Sequence, residues 1–395
     1  MTGTAAAGPF VAGTGLPATA DAVVIGAGMV GAATAARLAA AGRRVCVLDR
    51  RGPLGGTTAA GEGNILVSDK PPGPELALAL RSAALWREFA ATGGPGFEYD
   101  PKGGVVVARD AAELAGLHEL GTGQRAAGAA VTTLDEAGLH AAEPQLARGL
   151  AGGAFYPQDA QVQPMLAAMA LLNRAGVAPV VRAEVTGLTA GPVPVLHTDR
   201  GRIATPVIIN AAGPWAGEVA RRLGTDLPVR PRRGHILVTE PLPWLVVHKV
   251  YECGYLGTVV TDSTAPACSA VVEGTASGTI LVGSSRDFSA SPLPDARILA
   301  EIARRAVALF PFLGQVRAIR AYTGFRPAGA DHLPVIGPDP VVAGLWHAAG
   351  HEGAGIGLAP ATAELLTALL DGQPPPVDPA PFAPARFASV PGAAS

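Results

Sequence analysis

Cysteine, aromatic and charged residues are all scarce in this 395-residue chain, and each shortage closes a class of explanation. The three cysteines, Cys46, Cys253 and Cys268, are odd in number and far apart. They offer neither a disulfide framework nor the CxxC spacing of a zinc or iron–sulfur site, so no metal is expected and a reducing cytoplasm is the expected setting. Charged residues make up 16% of the chain and the formal net charge is −2. Lysine and arginine come singly or in pairs, which leaves no basic face to track a phosphate backbone and argues against nucleic acid. No apolar run reaches the ~18 residues of a membrane span. The opening MTGTAAAGPFVAGTGLPATA lacks a basic segment followed by a continuous apolar one, so 1–20 reads as a flexible tail and not as a signal peptide.

What the chain has in plenty is apolar material, 49% of residues, together with 51 glycines and 36 prolines. That is enough for a large core and two domains. Residues 376–395 are proline-rich and are expected to lie extended. The glycines are placed with purpose. The apolar run AVVIG leads into Gly26-Ala27-Gly28-Met29-Val30-Gly31, an alanine-rich stretch with helical spacing follows, and RVCVLD then closes on Asp49 with Arg50 behind it. Strand, glycine turn, helix, strand and acid form the unit that binds a dinucleotide. Gly26 permits the tight turn, Gly28 admits a pyrophosphate, Gly31 lets helix and strand pack, and the helix N-terminus faces the phosphates. Asp49 stands where it can accept from ribose hydroxyls.

The motif by itself fits NAD or FAD. The remainder chooses FAD. GGTTAAGEGNILV, at 55–67, suits a backbone wrapping a long ligand, with Thr57, Thr58, Gly63 and Asn64 as the residues to face it. VRAEVTGL, with Val185, reads as a strand of the same sheet, and TPVIINAAGPW stops at a small-residue turn containing Ala212 and Gly213. Near the end, GLWHAAG reads as a short strand, GHEGAGIG as a turn offering Gly353, Gly355 and Ile356, and LAPATAELLTALLDG as a helix. A cofactor held on both glycine turns must be long. The second helix N-terminus would then point at the flavin edge where negative charge builds on reduction.

These segments predict an α/β fold: a Rossmann-like FAD-binding domain (21–95, 146–225 and 321–375) interrupted by a smaller α+β substrate domain (96–145 and 226–320). In the interruptions, 111–140 reads as a helical run and 294–310 as a helix. GHILVTE, GYLGTVV and GTILVGSS read as strands of an antiparallel sheet covering the flavin.

VVIGAGMVGAATAARLAAAGRRVCVLDR, GFRPAGADHLPVIGP and GHEGAGIGLAPATAELLTALLDG, in that order, resemble the D-amino acid oxidase family of flavoenzymes, glycine and sarcosine oxidases included. GGTTAAGEGNILVSDKPPGPEL looks most like the flavin (beta) subunits of D-hydroxyproline dehydrogenases, with opine oxidases and hydrogen cyanide synthase as neighbours. The resemblance implies oxidation of a small or cyclic amino acid, D-hydroxyproline or D-proline foremost, by hydride transfer from Cα to the flavin, giving an imine. Glycine, sarcosine or an opine is the alternative substrate, and a non-catalytic electron-relay subunit the alternative of another class. The resemblance also implies that Arg326, in GFRP, grips the substrate carboxylate. Tyr255 is expected to assist, with Tyr251 as its rival and Tyr322 as another wall residue. His351 would bond the ring or substrate or tune the amine's protonation, and Glu352 would close its loop through the backbone. The segment RAYTGFRPAGAD lacks the cysteine of covalently flavinylated sarcosine oxidases, so non-covalent FAD is expected. Iron–sulfur and second flavoprotein subunits are the electron acceptors that the narrower resemblance implies.

Overall fold

The computed structural model describes residues 15–93, 96–177, 180–259 and 265–387. Most of the expected flexible tail, residues 1–14, therefore lies outside the described residues. Its last residues pair with the body of the chain: Ala20 N–H donates to Ala204 O and Ala204 N–H to Ala18 O.

A six-stranded sheet runs in the order Val335–Pro338, Leu345–Ala349, Ile208–Asn210, Ala22–Ile25, Val45–Asp49, Val181–Arg182. Its inner strands are parallel and buried, which their β-branched runs require. VRAEVTGL divides. Val181–Arg182 joins this sheet, and Val185–Thr189 crosses into a separate three-stranded antiparallel sheet. Helix Met29–Ala40 packs between the C-terminal helix Gly355–Leu370 and helix Pro164–Arg174.

The C-terminal helix begins three residues before the expected Leu358 and carries Pro360 inside it. Proline cannot donate to the carbonyl four residues back. Neighbours serve that region instead: Trp86 Nε1 donates to Ile356 O at 3.1 Å, and Ser82 Oγ donates to Gly357 O at 2.5 Å. Both side chains come from the long helix Pro74–Gly93 and are fully buried, so the helix start is fixed by a partner distant in sequence.

The two interrupting segments share an eight-stranded sheet, ordered Ala318–Gly329, Val229–Thr239, Ile280–Arg286, Ala267–Gly274, Lys249–Glu252, Gly104–Ala108, Gly152–Tyr156, Thr132–Leu134, to which segments expected in the FAD-binding domain contribute Gly152–Tyr156 and most of Ala318–Gly329. Its pairs are antiparallel except Lys249–Glu252 with Gly104–Ala108, where two segments far apart in sequence meet side by side.

Three local readings need correction. The run 111–140 is two helices, Ala111–Ala126 and Glu136–Ala142, with strand Thr132–Leu134 between them. Gly128 takes φ +100°, and Asp135 caps the second helix through its bond from Gly138 N–H. GYLGTVV is not a strand: Gly254–Val259 is helical, because strand pairing ends at Glu252 and Leu256 N–H closes a turn on Cys253 O. The proline-rich tail, as far as Phe387, folds into short 3₁₀ turns at Ala380–Phe382 and Pro384–Phe387. Phe382 is fully buried, and Arg386 pairs with Asp331 and bonds the carbonyls of Leu333 and Pro334.

Candidate active site

A cavity lies between the two large sheets. On the six-stranded side the glycine turn forms its wall. Gly26 has φ +109°, open only to glycine without strain, and a Cβ there would strike the Ala211 carbonyl. Ala27 N–H donates to Asp49 Oδ2 at 3.0 Å and Arg51 N–H to Asp49 Oδ1 at 2.9 Å, which fixes the acid against the turn. Met29 N–H donates to Thr58 Oγ1 at 2.9 Å, tying the 57–64 loop to the helix start. Gly26, Gly28, Met29, Val30, Asp49, Arg50, Thr57, Thr58, Asn64, Val185, Ala212, Gly213, Gly353, Gly355 and Ile356 all line the cavity.

Gly31 and Gly63 do not line it. Gly31 stands behind the turn, where a Cβ would overlap the Gly26 carbonyl oxygen, and Gly63 holds φ +99° against the Val162 carbonyl. Arg50 instead presents its guanidinium to the Trp215 ring at 4.5 Å, with Arg51 at 4.7 Å.

The helices Met29–Ala40 and Gly355–Leu370 both begin at this cavity. Neither has a side-chain N-cap bond or an acid in its first turn. Two positive helix ends without an acid of their own, facing one space, fit a ligand with negative charge at two separated places, as FAD carries at its pyrophosphate and at its reduced ring.

The eight-stranded side supplies a different set. Strands Val229–Thr239 and Ala318–Gly329 pair Gly234 with Gly324 and Arg232 with Arg326. Alternation then turns Gly234, Ile236, Gly324 and Arg326 toward the cavity. Arg326 Nη1 donates to Ser285 O at 2.8 Å, and its guanidinium lies across Gly234, whose missing side chain leaves it room. Among the described residues no carboxylate stands within ion-pair distance of it. Burial and the neighbouring Arg286 charge lower its pKa to about 10, the mark of a guanidinium short of negative charge.

Tyr255 reaches the cavity from its short helix, with the Arg286 guanidinium 4.8 Å from its ring centroid. Tyr251 does not line it. It is fully buried, and its hydroxyl donates to Ser68 Oγ at 2.6 Å. Tyr322 also lies outside the lining; the Arg320 guanidinium is 5.4 Å from its ring centroid.

His351 lines the cavity but is buried, and Nε2 bonds Thr362 Oγ1 at 2.9 Å. Burial pushes its pKa down to about 3, so at neutral pH it is an uncharged imidazole and does not serve as an acid. Since the unfolded histidine takes a proton near 6.5, His351 favours the fold fully above that pH and loses the contribution as pH falls from about 6.5 toward 3. His351→Gln is therefore expected to flatten the fall in melting temperature between pH 7 and pH 4, measured by differential scanning fluorimetry.

Glu352 does bond through its backbone, N–H to Pro327 O at 2.9 Å, yet its carboxylate does more. It accepts from Arg232 Nη1 at 2.6 Å, meets His332 Nδ1 at 3.1 Å and lies 3.9 Å from Arg286 Nε. Burial alone would raise its pKa; the His332 bond and the Arg286 and Arg232 charges overcome that and hold it at about 2. Sequence reasoning did not single out Arg286, Arg232 or Glu62.

Residues 21–369 match the family model described as FAD dependent oxidoreductase. The chain belongs to that family. It is 30% identical to a glycine oxidase of Pseudomonas putida over 389 residues, covering 92% of this chain and 97% of that one. It is 29% identical to hydrogen cyanide synthase subunit HcnC of Pseudomonas aeruginosa, covering 95% and 98%. The glycine oxidase structure from Geobacillus kaustophilus superposes with a TM-score of 0.85 at 26% identity, covering 94% and 100%. The chain is thus a FAD-dependent oxidoreductase.

Proposed function

We propose that this flavoenzyme oxidises the C–N bond of a small amino acid, as the names of its glycine oxidase relatives suggest. The observation that carries the reading is Arg326: a guanidinium on the cavity wall beside Tyr255 with no carboxylate partner among the described residues. A substrate carboxylate completes it with two parallel charged hydrogen bonds. When bound, FAD accepts the hydride from Cα. The chain's own part is to aim that carbon. Arg326 and Tyr255 hold the carboxylate, the 57–64 loop forms part of the wall, and water hydrolyses the released imine. Tyr255, Arg326 and the neutral His351 are the substrate-facing residues of this reading.

Glycine or sarcosine is the first substrate to try. A cyclic secondary amine such as cis-4-hydroxy-D-proline or D-proline is the second, carried by GGTTAAGEGNILVSDKPPGPEL. With the latter, iron–sulfur and flavoprotein subunits would take the electrons. The test is an anaerobic absorbance titration of the purified holoprotein with each amino acid, followed by air. Bleaching of the flavin band is expected, with fast recovery in air for an oxidase and slow recovery for a dehydrogenase. A flavin bleached by dithionite and by none of these amino acids would sink the reading.

A further inference from the structure

Glu62 is the acid of the glycine-rich GEGN stretch, and its two carboxylate oxygens have different surroundings. Oε2 accepts from Asn64 Nδ2 at 2.9 Å and lies 3.4 Å from Lys249 Nζ. Oε1 is buried and has no hydrogen-bond partner among the described residues. A buried carboxylate oxygen left so is costly, and such positions are commonly completed by a ligand. Lys249 does not discharge the group fully, because the same ammonium pairs at 2.9 Å with Glu273.

Glu62 lines the cavity along with Tyr255, Ser284 and Arg326. Its Oε1 rests over Gly283, where a Cβ would come within 2.6 Å of it. Its loop is fastened next to the arginine strand, since Thr57 Oγ1 donates to Phe325 O at 2.6 Å. The Glu62 charge also opposes the lowering of the Arg326 pKa. The wall therefore carries an acid with a spare oxygen and a guanidinium without an acid.

We propose that the Glu62 carboxylate turns Oε1 off Gly283 to accept the N–H of the substrate amine while Arg326 holds the carboxylate, so the two side chains clamp opposite ends of one amino acid. This rests on the amino acid reading above. The clamp explains how a substrate of few atoms is oriented: the carboxylate alone fixes one point, and the amine bond removes rotation about it. It also sets the enzyme against carboxylates that carry no N–H, because these would leave the Glu62 oxygen unmet.

The test uses the FAD-loaded Glu62→Gln protein, with flavin absorbance perturbation under anaerobic conditions as the readout. Two ligand pairs are compared, D-proline against tetrahydrofuran-2-carboxylate and glycine against acetate. The amine-bearing member should lose tenfold or more in Kd relative to wild type, and its amine-free partner less than twofold. Glu62→Asp, which keeps the charge but draws it back, should fall between. Retained flavin absorbance and melting temperature guard against misfolding. Equal losses for both members of a pair, or none, would overturn the assignment while leaving the amino acid reading intact, provided wild type is bleached. Loss of FAD without a change in the ligand ratio would make Glu62 a flavin partner and overturn it too. A wild-type flavin unmoved by either amino acid would overturn both readings together.

Discussion

Arg326→Ala should yield a protein that still purifies yellow but captures its amino acid poorly. Each charged hydrogen bond is worth about 1.5–3 kcal/mol, so removing a two-bonded grip costs roughly 10²- to 10⁴-fold in the Kd read from anaerobic flavin reduction. The fold should tolerate the change, because the side chain's own hydrogen bond is a single one to Ser285 O and its removal relieves the crowding with Arg286. Arg326→Lys should recover little, since an ammonium cannot present the two parallel N–H groups a carboxylate accepts. Unchanged reduction kinetics in the alanine variant would remove Arg326 from the site.

Gly31→Ala is expected to be among the most damaging small changes in the chain. The added methyl would overlap the Gly26 carbonyl oxygen, and both are main-chain groups of the same turn that cannot swing aside. Either the helix Met29–Ala40 withdraws or the turn opens, at a cost of roughly 1–3 kcal/mol or more on the usual overpacking scale. Both movements spoil the cradle formed by Gly26, Gly28 and the helix end. The outcome should be a colourless protein with a lowered melting temperature that added FAD does not restore. Absorbance at the flavin band relative to the protein band measures it directly. A yellow, fully stable variant would mean that the turn is far softer than its packing indicates.

The two predictions differ in how readily the sequence announced them. Gly31 belongs to a local unit in which strand, turn, helix and acid follow one another, and its close approach to Gly26 is a consequence of spacing. Arg326 was found through the GFRP resemblance; its missing counter-ion is a tertiary fact. Tyr255 lines the cavity from a helix where a strand was expected, because a β-branched run such as GTVV is consistent with a strand until its pairing partners are known. Tyr251, four residues away, is separated from it by burial alone, its hydroxyl turned to Ser68. Pro360 would by itself have argued for a helix starting later. Trp86 and Ser82, from another helix, supply the carbonyl partners that let it begin at Gly355.

From the sequence alone came the cofactor class, the two glycine turns and the order of strands and helices around them. These follow from short-range rules: φ > 0 and close approach demand glycine, period-two and helical spacing mark buried faces, and bare helix ends attract anions. Tertiary structure alone decided which charges were already satisfied. Arg232 meets Glu352 across 120 positions of chain, whereas Arg326 meets none among the described residues and Glu62 keeps one oxygen without a partner. The reason is physical: pairing depends on distances of a few ångströms between residues brought together by the packed sheets, and in the low-dielectric interior those distances decide whether a charge is neutralised or left for a ligand.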